Sequence, residues 1–231
     1  GNPLSQICAY LFTSSGQSAE VAGTDSNSSG QYALHGIRDG SYKLEFSDCS
    51  SRDYLTQWYR GQSSSSSAGV IVVSGGANTP GINASMTQGG SIGGTVTDAS
   101  GNPVSGICVS VANYSSLAFA GNATTDAKGK YVVHSLPAGP YSVAFGTCGF
   151  AGSQGYVGQY YNDEDSIGTA DSVSVTAGTQ TPGINATLSR GGTVPGTVTD
   201  SGGNPLSGIC VEGNPNSARA TFSDFTPTDS Q

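Results

Sequence analysis

The chain has 231 residues, 35 of them glycine, with 10% charged residues, a net charge of −8 and a pI near 4.4. So little charge is well below the ~25% of ordinary soluble domains. The acidic balance leaves phosphate repulsion unopposed, which argues against a nucleic-acid partner, and apolar runs such as Val70–Val73 fall far short of the ~20 residues a bilayer crossing needs.

The chain opens on an octapeptide, GNPLSQIC at Gly1–Cys8, which returns as GNPVSGIC at Gly101–Cys108 and as GNPLSGIC at Gly203–Cys210. The offsets, 100 and 102 residues, are too long for a solenoid and suit one small β-sandwich repeated in tandem. Three domains follow: repeat 1 over residues 1–88, repeat 2 over 89–190 and the start of repeat 3 over 191–231.

In the first repeat, strand-like segments are Tyr32–His35 (YALH), Tyr42–Phe46 (YKLEF), Gln57–Tyr59 (QWY) and Thr79–Ser85 (TPGINAS). Each has a counterpart in the second repeat, and of that repeat's strands only the first, Ile92–Asp98, is missing from repeat 1. The second repeat begins with Ile92–Asp98 (IGGTVTD), turns through Ala99–Ser105 and alternates strictly over Ile107–Val111 (ICVSV). Ile107, Val109 and Val111 therefore share one face and Cys108 the other. Asn113–Thr125 is polar and loop-like, and Asp126–Gly129 has the residues of a hairpin turn. Strands are expected at Tyr131–His134 and, past a turn at Leu136–Gly139, at Tyr141–Phe145. A loop at Gly149–Gly155 precedes Tyr156–Tyr161, Ser172–Thr176 and Ile184–Leu188. That makes about seven short strands and no helical period, the count of a sandwich. The third repeat supplies Gly191–Asp200, the turn and Gly208–Val211; two strands alone bury no core. Linkers between repeats are short, so a semi-rigid rod is expected.

Cys8 and Cys49 lie 41 residues apart, and Cys108 and Cys148 lie 40 apart at matching places. They read as two intradomain bridges, with Cys210 the first half of a pair whose partner is outside the chain. The alternative is buried free thiols; a metal site is disfavoured because no C-x-x-C or histidine cluster accompanies them. A bridge closing such a loop contributes roughly 4 kcal/mol in the chain-entropy model. Regular disulfides imply an oxidising compartment, hence secretion.

GTVTDASGNPVSGICVSV, followed by TTDAKGKYVVHSLPAGPYSVAF, resembles the carboxypeptidase regulatory-like domain, a transthyretin-like β-sandwich related in architecture to the B-type repeats of bacterial adhesins. The resemblance covers the second repeat, nearly all of the first and the start of the third. It implies an all-β fold of tandem seven-stranded Ig-like or transthyretin-like β-sandwiches. On function it says little, since such domains serve as stalks, spacers and accessory modules. Adhesin repeats of this kind often carry a Lys–Asn isopeptide link. Lys43 of the first repeat becomes Ser142 in the second, so none is expected, and the disulfide takes its place.

Candidate chemistry is sparse. His35 and His134 occupy equivalent positions in separate repeats, which suits a hydrogen-bond role rather than catalysis. No G-x-S-x-G elbow exists. No enzyme activity and no cofactor are expected. Asp163, Glu164 and Asp165 form a weak Ca²⁺ candidate, but Arg60–Ser63 stands there in the first repeat and a solvated acidic loop is the default. Asp25, Asp126 and Asp229 recur in T-D turns, where capping explains them. Tyr54, Trp58 and Tyr59, with Tyr156, Tyr160 and Tyr161, are candidate glycan contacts because aromatic faces stack on sugars; the bland reading is that they pack over the sandwich edge. Asn27, Asn83, Asn113, Asn122 and Asn185 each begin N-x-[ST] and, with Ser63–Ser67, are candidate glycosylation sites.

The expectation is a non-catalytic repeat array of a secreted or cell-surface protein, forming a stalk or extracellular filament. Its partners would be neighbouring repeats or copies of itself. The alternatives are an adhesin or glycan-binding module that meets a host or matrix surface through the aromatic segment, and an accessory region of a larger secreted enzyme.

Overall fold

The computed structural model describes residues 1–14, 19–147, 155–192, 195–213 and 224–227. The described residues divide into two compact units. One comprises Gly1–Gly90 with His134–Pro137 and Ala177–Thr179, the other Ser91–Val133, Ala138–Thr176 and Gln180–Gln231. All regular structure among them is β.

In the first unit, β1 (Ile7–Thr13) lies between β2 (Glu20–Asp25) and β3 (Gly40–Asp48), and β4 (Gln57–Trp58) and β5 (Ile71–Val73) both pair with β3. Every pairing is antiparallel. The alternation of ICAYLFT and GSYKLEFSD puts Ile7, Ala9 and Leu11 beside Tyr42, Leu44 and Phe46 on one face, and these with Ile71 are the core. Burial of such a face is what makes a half-polar sheet stable in water.

The second unit repeats this sheet. β7 (Ile107–Asn113) pairs with β8 (Phe119–Thr124) and with β10 (Gly139–Thr147), which also carries β11 (Gln159–Tyr160) and β12 (Val173–Val175). A second sheet faces it. There β6 (Gly90–Asp98) lies between β13 (Gln180–Thr181) and β14 (Ala186–Leu188), parallel to both, and also pairs with β9 (Lys130–Leu136). Ile92 and Val96 of β6, Tyr131 and Val133 of β9, and Leu188 of β14 are all buried. The fold is the expected all-β one.

Three expectations need correction. Asn113–Thr125 is not all loop: β8 forms within it, as an edge strand whose residues are all exposed or half-buried. An edge strand held by backbone bonds needs no apolar alternation, so the pattern gave no sign of it; β2 has the same character. In the first unit, Tyr32–His35 and Thr79–Ser85 are not strands. Their counterparts become β9, β13 and β14 by pairing with β6, and among the described residues the first unit has no strand to pair with them. Finally, the hairpin turn of the first repeat is built by Asn27 and not Asp25: Asn27 Oδ1 accepts from Ser29 N (2.9 Å) and Gln31 N (3.0 Å). Asp126 Oδ1 does the same for Lys128 N and Lys130 N, both at 2.8 Å.

The third copy of the octapeptide leads into β15 (Cys210–Gly213), which pairs with β16 (Asp224–Pro227). Leu206, Ile209 and Val211 are 38, 40 and 49% exposed. At the same places in the second copy, Val104, Ile107 and Val109 are buried.

Candidate functional site

The most repeated arrangement surrounds the octapeptide. Ser26 Oγ accepts from Ile7 N (3.0 Å) and donates to Leu4 O (2.7 Å). Thr125 Oγ1 accepts from Ile107 N (2.9 Å) and donates to Val104 O (2.8 Å). Both hydroxyls are buried. Each closes the backbone of its octapeptide onto the hairpin that follows, and each satisfies a donor and an acceptor that burial would otherwise leave costly. Sequence reading missed this pair; the sign was the Ser or Thr placed directly before Asn27 and Asp126.

The second repeated arrangement centres on a tyrosine in each unit. Tyr32 Oη donates to Ile82 O and Tyr131 Oη to Ile184 O, both at 2.5 Å. Tyr32 meets Phe46 edge-on at 5.7 Å, and Tyr131 meets Phe145 at 5.9 Å. Burial, with a smaller push from Tyr59, raises the Tyr32 phenol to about 12, and burial raises Tyr131 further. Both phenols stay neutral and keep donating.

Cys8 and Cys49 are joined by a disulfide with Cα atoms 5.8 Å apart. Cys8 sits on β1 across from the core face, and the bridge borders a shallow, open depression lined by Gln6, Tyr10, Glu20 and Thr24. The loop after Cys49 is fixed by Asp48, whose carboxylate accepts from Ser50 N (2.9 Å), Ser50 Oγ (2.6 Å), Arg52 N (2.7 Å) and Tyr54 N (3.2 Å). Arg52 in turn donates to Ser5 O of the octapeptide. Cys108 is disulfide-bonded, and Cys148 lies outside the described residues. Cys210 is a free, exposed thiol.

All six candidate glycan-contact aromatics are half-buried. Trp58 packs against Phe12, with ring centroids 5.4 Å apart and planes tilted by 46°. The Arg52 guanidinium covers Tyr54 (5.7 Å), Arg60 covers Tyr59 (5.6 Å) and Arg190 covers Tyr156 (4.7 Å). Tyr160 pairs through its backbone with Ala144, and Tyr161 N donates to Val143 O (2.9 Å). These contacts make the segment a clip on the sandwich edge, with much of its aromatic surface already in use.

Asp163 and Asp165 are exposed and Glu164 is half-buried, and among the described residues no group of three or more His, Cys, Asp or Glu side chains is placed to hold a metal ion. Of the sequon asparagines, Asn27, Asn83, Asn122 and Asn185 are exposed and Asn113 half-buried. Three have structural duties: Asn27 caps its turn, Asn113 Oδ1 accepts from Ser115 N and Ser116 N (3.1 and 3.0 Å), and Asn185 Oδ1 accepts from Thr95 N (2.9 Å). His35 and His134 are exposed. Lys43 Nζ donates to Ser65 O at 2.5 Å, and Ser142 in its place is buried.

The residues that recur in both units thus build turns, layers and edges: the sandwich class of structural domain. Residues 91–189, which make up most of the second repeat, match the family model of the carboxypeptidase regulatory-like domain. No curated protein matches the chain in sequence. Among solved structures, the chain is similar to the Bacillus anthracis TIE protein (15% identity, 82% of this chain and 32% of that one, TM-score 0.35). It is similar to the minor pilin GBS52 of Streptococcus agalactiae (13% identity, 87% and 88% covered, TM-score 0.31). It is also similar to the shaft pilin SpaA of Lactobacillus rhamnosus GG (10% identity, 84% and 91% covered, TM-score 0.36). The chain spans about a third of the TIE protein's length.

Proposed function

We propose that the chain is a non-catalytic structural array of a secreted or cell-surface protein, a stalk or extracellular filament whose repeats (1–88, 89–190 and the start of a third over 191–231) are stapled by intradomain disulfides. One observation carries this reading: what repeats is construction, and what does not repeat is chemistry. The hydroxyl at Ser26 and Thr125 and the tyrosine bond at Tyr32 and Tyr131 recur with matching distances. The lysine at position 43, the acidic run Asp163–Asp165 and the tryptophan at 58 each occur in one repeat only. Selection for a spacer keeps the first set and is indifferent to the second. Glycan binding through Tyr54, Trp58, Tyr59, Tyr156, Tyr160 and Tyr161 has less support, since arginines and Phe12 already lie against several of those rings. The test is protease shaving and antibody labelling of intact producing cells. Recovery of the chain from the surface or medium, with Cys8 and Cys49 oxidised, is the expected result; a chain found only inside cells, with both thiols reduced, overturns it.

A further inference from the structure

In the first two repeats, exposed apolar side chains gather in two places, and each place is polar in the other repeat. In the second unit Tyr114, Leu117 and Phe119 are exposed where β7 turns into β8, Phe119 to 71%. In the first unit Glu20 holds the ladder position of Phe119, and residues 14–19 (SSGQSA) include no large apolar side chain. The other place is on the first unit. There Val70 and Val72, the latter 62% exposed, flank the buried Ile71 of β5 and so face away from the core. Their counterparts in the second unit, placed by the ladders to β3 and β10, are Ser172 and Ser174.

Both patches are held in place before any partner arrives, which lowers the entropy cost of a contact. Asn113 Oδ1 accepts from Ser115 N, Ser116 N and Ser116 Oγ, Leu117 N donates to Asn113 O (2.9 Å), and Tyr114 Oη donates to Ala170 O (3.2 Å). The loop so built keeps Leu117 at φ 57°, a left-handed conformation unfavourable for leucine. Among the described residues β5 pairs on one side only, with β3, and β8 on one side only, with β7. A bulge at Val111 and Ala112 twists the start of β8, which favours contact by side chains over a continuous ladder. Charge then selects the partner. Residues 61–97 and 99–125 include no charged side chain, in a chain of net charge −8. Copies of such a chain repel one another and meet only where charge is absent. A basic partner is drawn to the acidic surface instead and gains nothing from these stretches. What suits both patches is another acidic chain that carries them, a second copy.

We infer that Val70 and Val72 of one copy of this chain pack edge to edge against Tyr114, Leu117 and Phe119 of a second copy, so that copies join through unlike repeats. The interface is heterologous and therefore extends rather than closes when its rotation does not return on itself. Two valines against one aromatic loop bury little area, so a single joint is weak and a row of joints holds by multivalency. This inference rests on the filament reading and deepens it by naming the partner and the joint.

Sedimentation equilibrium of the 231-residue chain tests it, on a Cys210→Ser background so that oxidation of that exposed thiol is not read as assembly. The average mass should rise with concentration past that of one chain. Val70→Ser with Val72→Ser gives the first repeat the residues of the second, and Phe119→Glu gives the second the residue of the first, so both variants suit the fold. Each variant alone should keep the mass of one chain. Mixed in equal amounts, they should reach the mass of two chains and stop, because each supplies the patch the other lacks. Phe119→Ser, which adds no charge, should behave as Phe119→Glu does. A wild-type chain of single-chain mass at every concentration overturns the inference. A variant that assembles alone as the wild type does overturns it too, since the contact then lies elsewhere or between like patches, and so does a mixture that stays at one chain. A chain that stays single yet is recovered from the cell surface defeats this inference and leaves the structural reading standing; assembly in vitro by a chain never found outside cells does the reverse.

Discussion

In the second repeat Tyr131, Val133, Ile184 and Leu188 are 4, 1, 6 and 0% exposed. At the same places in the first, Tyr32, Leu34, Ile82 and Met86 are only half-buried. The side chains are comparable in size and the tyrosine bond is the same, so residue type does not explain the difference. β6 does: it lies along the second set, and among the described residues no strand lies along the first. One strand thus converts two segments with strand-forming composition into paired strands, and its lack leaves them as ordered but unpaired chain. Propensity here is permission, and the ladder partner decides.

The sharpest way to break that comparison is to expel β6. Gly94→Val drives a side chain into the backbone at Ile184 and should cost the second repeat about 3 kcal/mol, the upper end of what overpacking costs. Chemical unfolding should show the loss, and hydrogen exchange should quicken at Val96 and Ile184, making the second repeat resemble the first. Gly196→Val, the same substitution at the same place in the third copy, should shift stability by less than about 0.5 kcal/mol, as surface changes do. Equal effects at both sites would mean that β6 is not what closes the second sandwich.

A smaller effect tests what the two repeats share. Ser26→Ala and Thr125→Val each remove a hydroxyl that bridges a buried N–H and C=O of the octapeptide. Each should destabilise its own repeat by roughly 1–3 kcal/mol, the cost of leaving such groups unsatisfied. Denaturant midpoints of the two transitions measure both. A loss in the second repeat with none in the first would mean that the open sandwich lets water replace the hydroxyl.

How far the sequence could be read follows from the same contrast. The octapeptide, the alternation of ICVSV and YSVAF and the matching cysteines are local or periodic signals, and they place β1, β3, β7 and β10 with the right faces inward. β2 and β8 were invisible because an edge strand is specified by its neighbour's free backbone groups and not by its own pattern. The shift from Asp25 to Asn27 has a similar cause. A T-D match in the letters outweighed the position of the glycine that ends the turn, yet it is the distance to Gly30 and Gly129 that fixes which side chain caps it. For the candidate site, composition led to the exposed-looking aromatics, whereas their arginine and phenylalanine neighbours come together only in three dimensions.

The smallest predicted effect separates the repeats by pH. Burial pushes the Asp48 carboxyl up, but its hydrogen bonds from Ser50, Tyr54 and Arg52 outweigh this and leave it below its ordinary 3.8. A carboxyl depressed in the folded state adds stability that is fully present above its unfolded value. That stability is lost as pH falls from about 4 through the folded value. β3 ends on Asp48 opposite Ile7, whereas β10 has Thr147 opposite Ile107 and so no carboxylate there. The second repeat instead carries acid-sensitive turns at Asp98, held low by Asn102, and at Asp126, held low by the Lys130 and Lys128 amides. The first has neutral Asn27 where Asp126 stands. Unfolding free energy measured between about pH 2 and 6 should therefore fall with acid in both repeats, for different reasons. Asp48→Asn should flatten the curve of the first repeat alone and Asp126→Asn that of the second alone. If Asp48→Asn leaves the first repeat's curve as steep as before, the loop beside Cys49 is not held by that carboxylate. The bridge, rather than Asp48, would then be what orders Ser50–Tyr54.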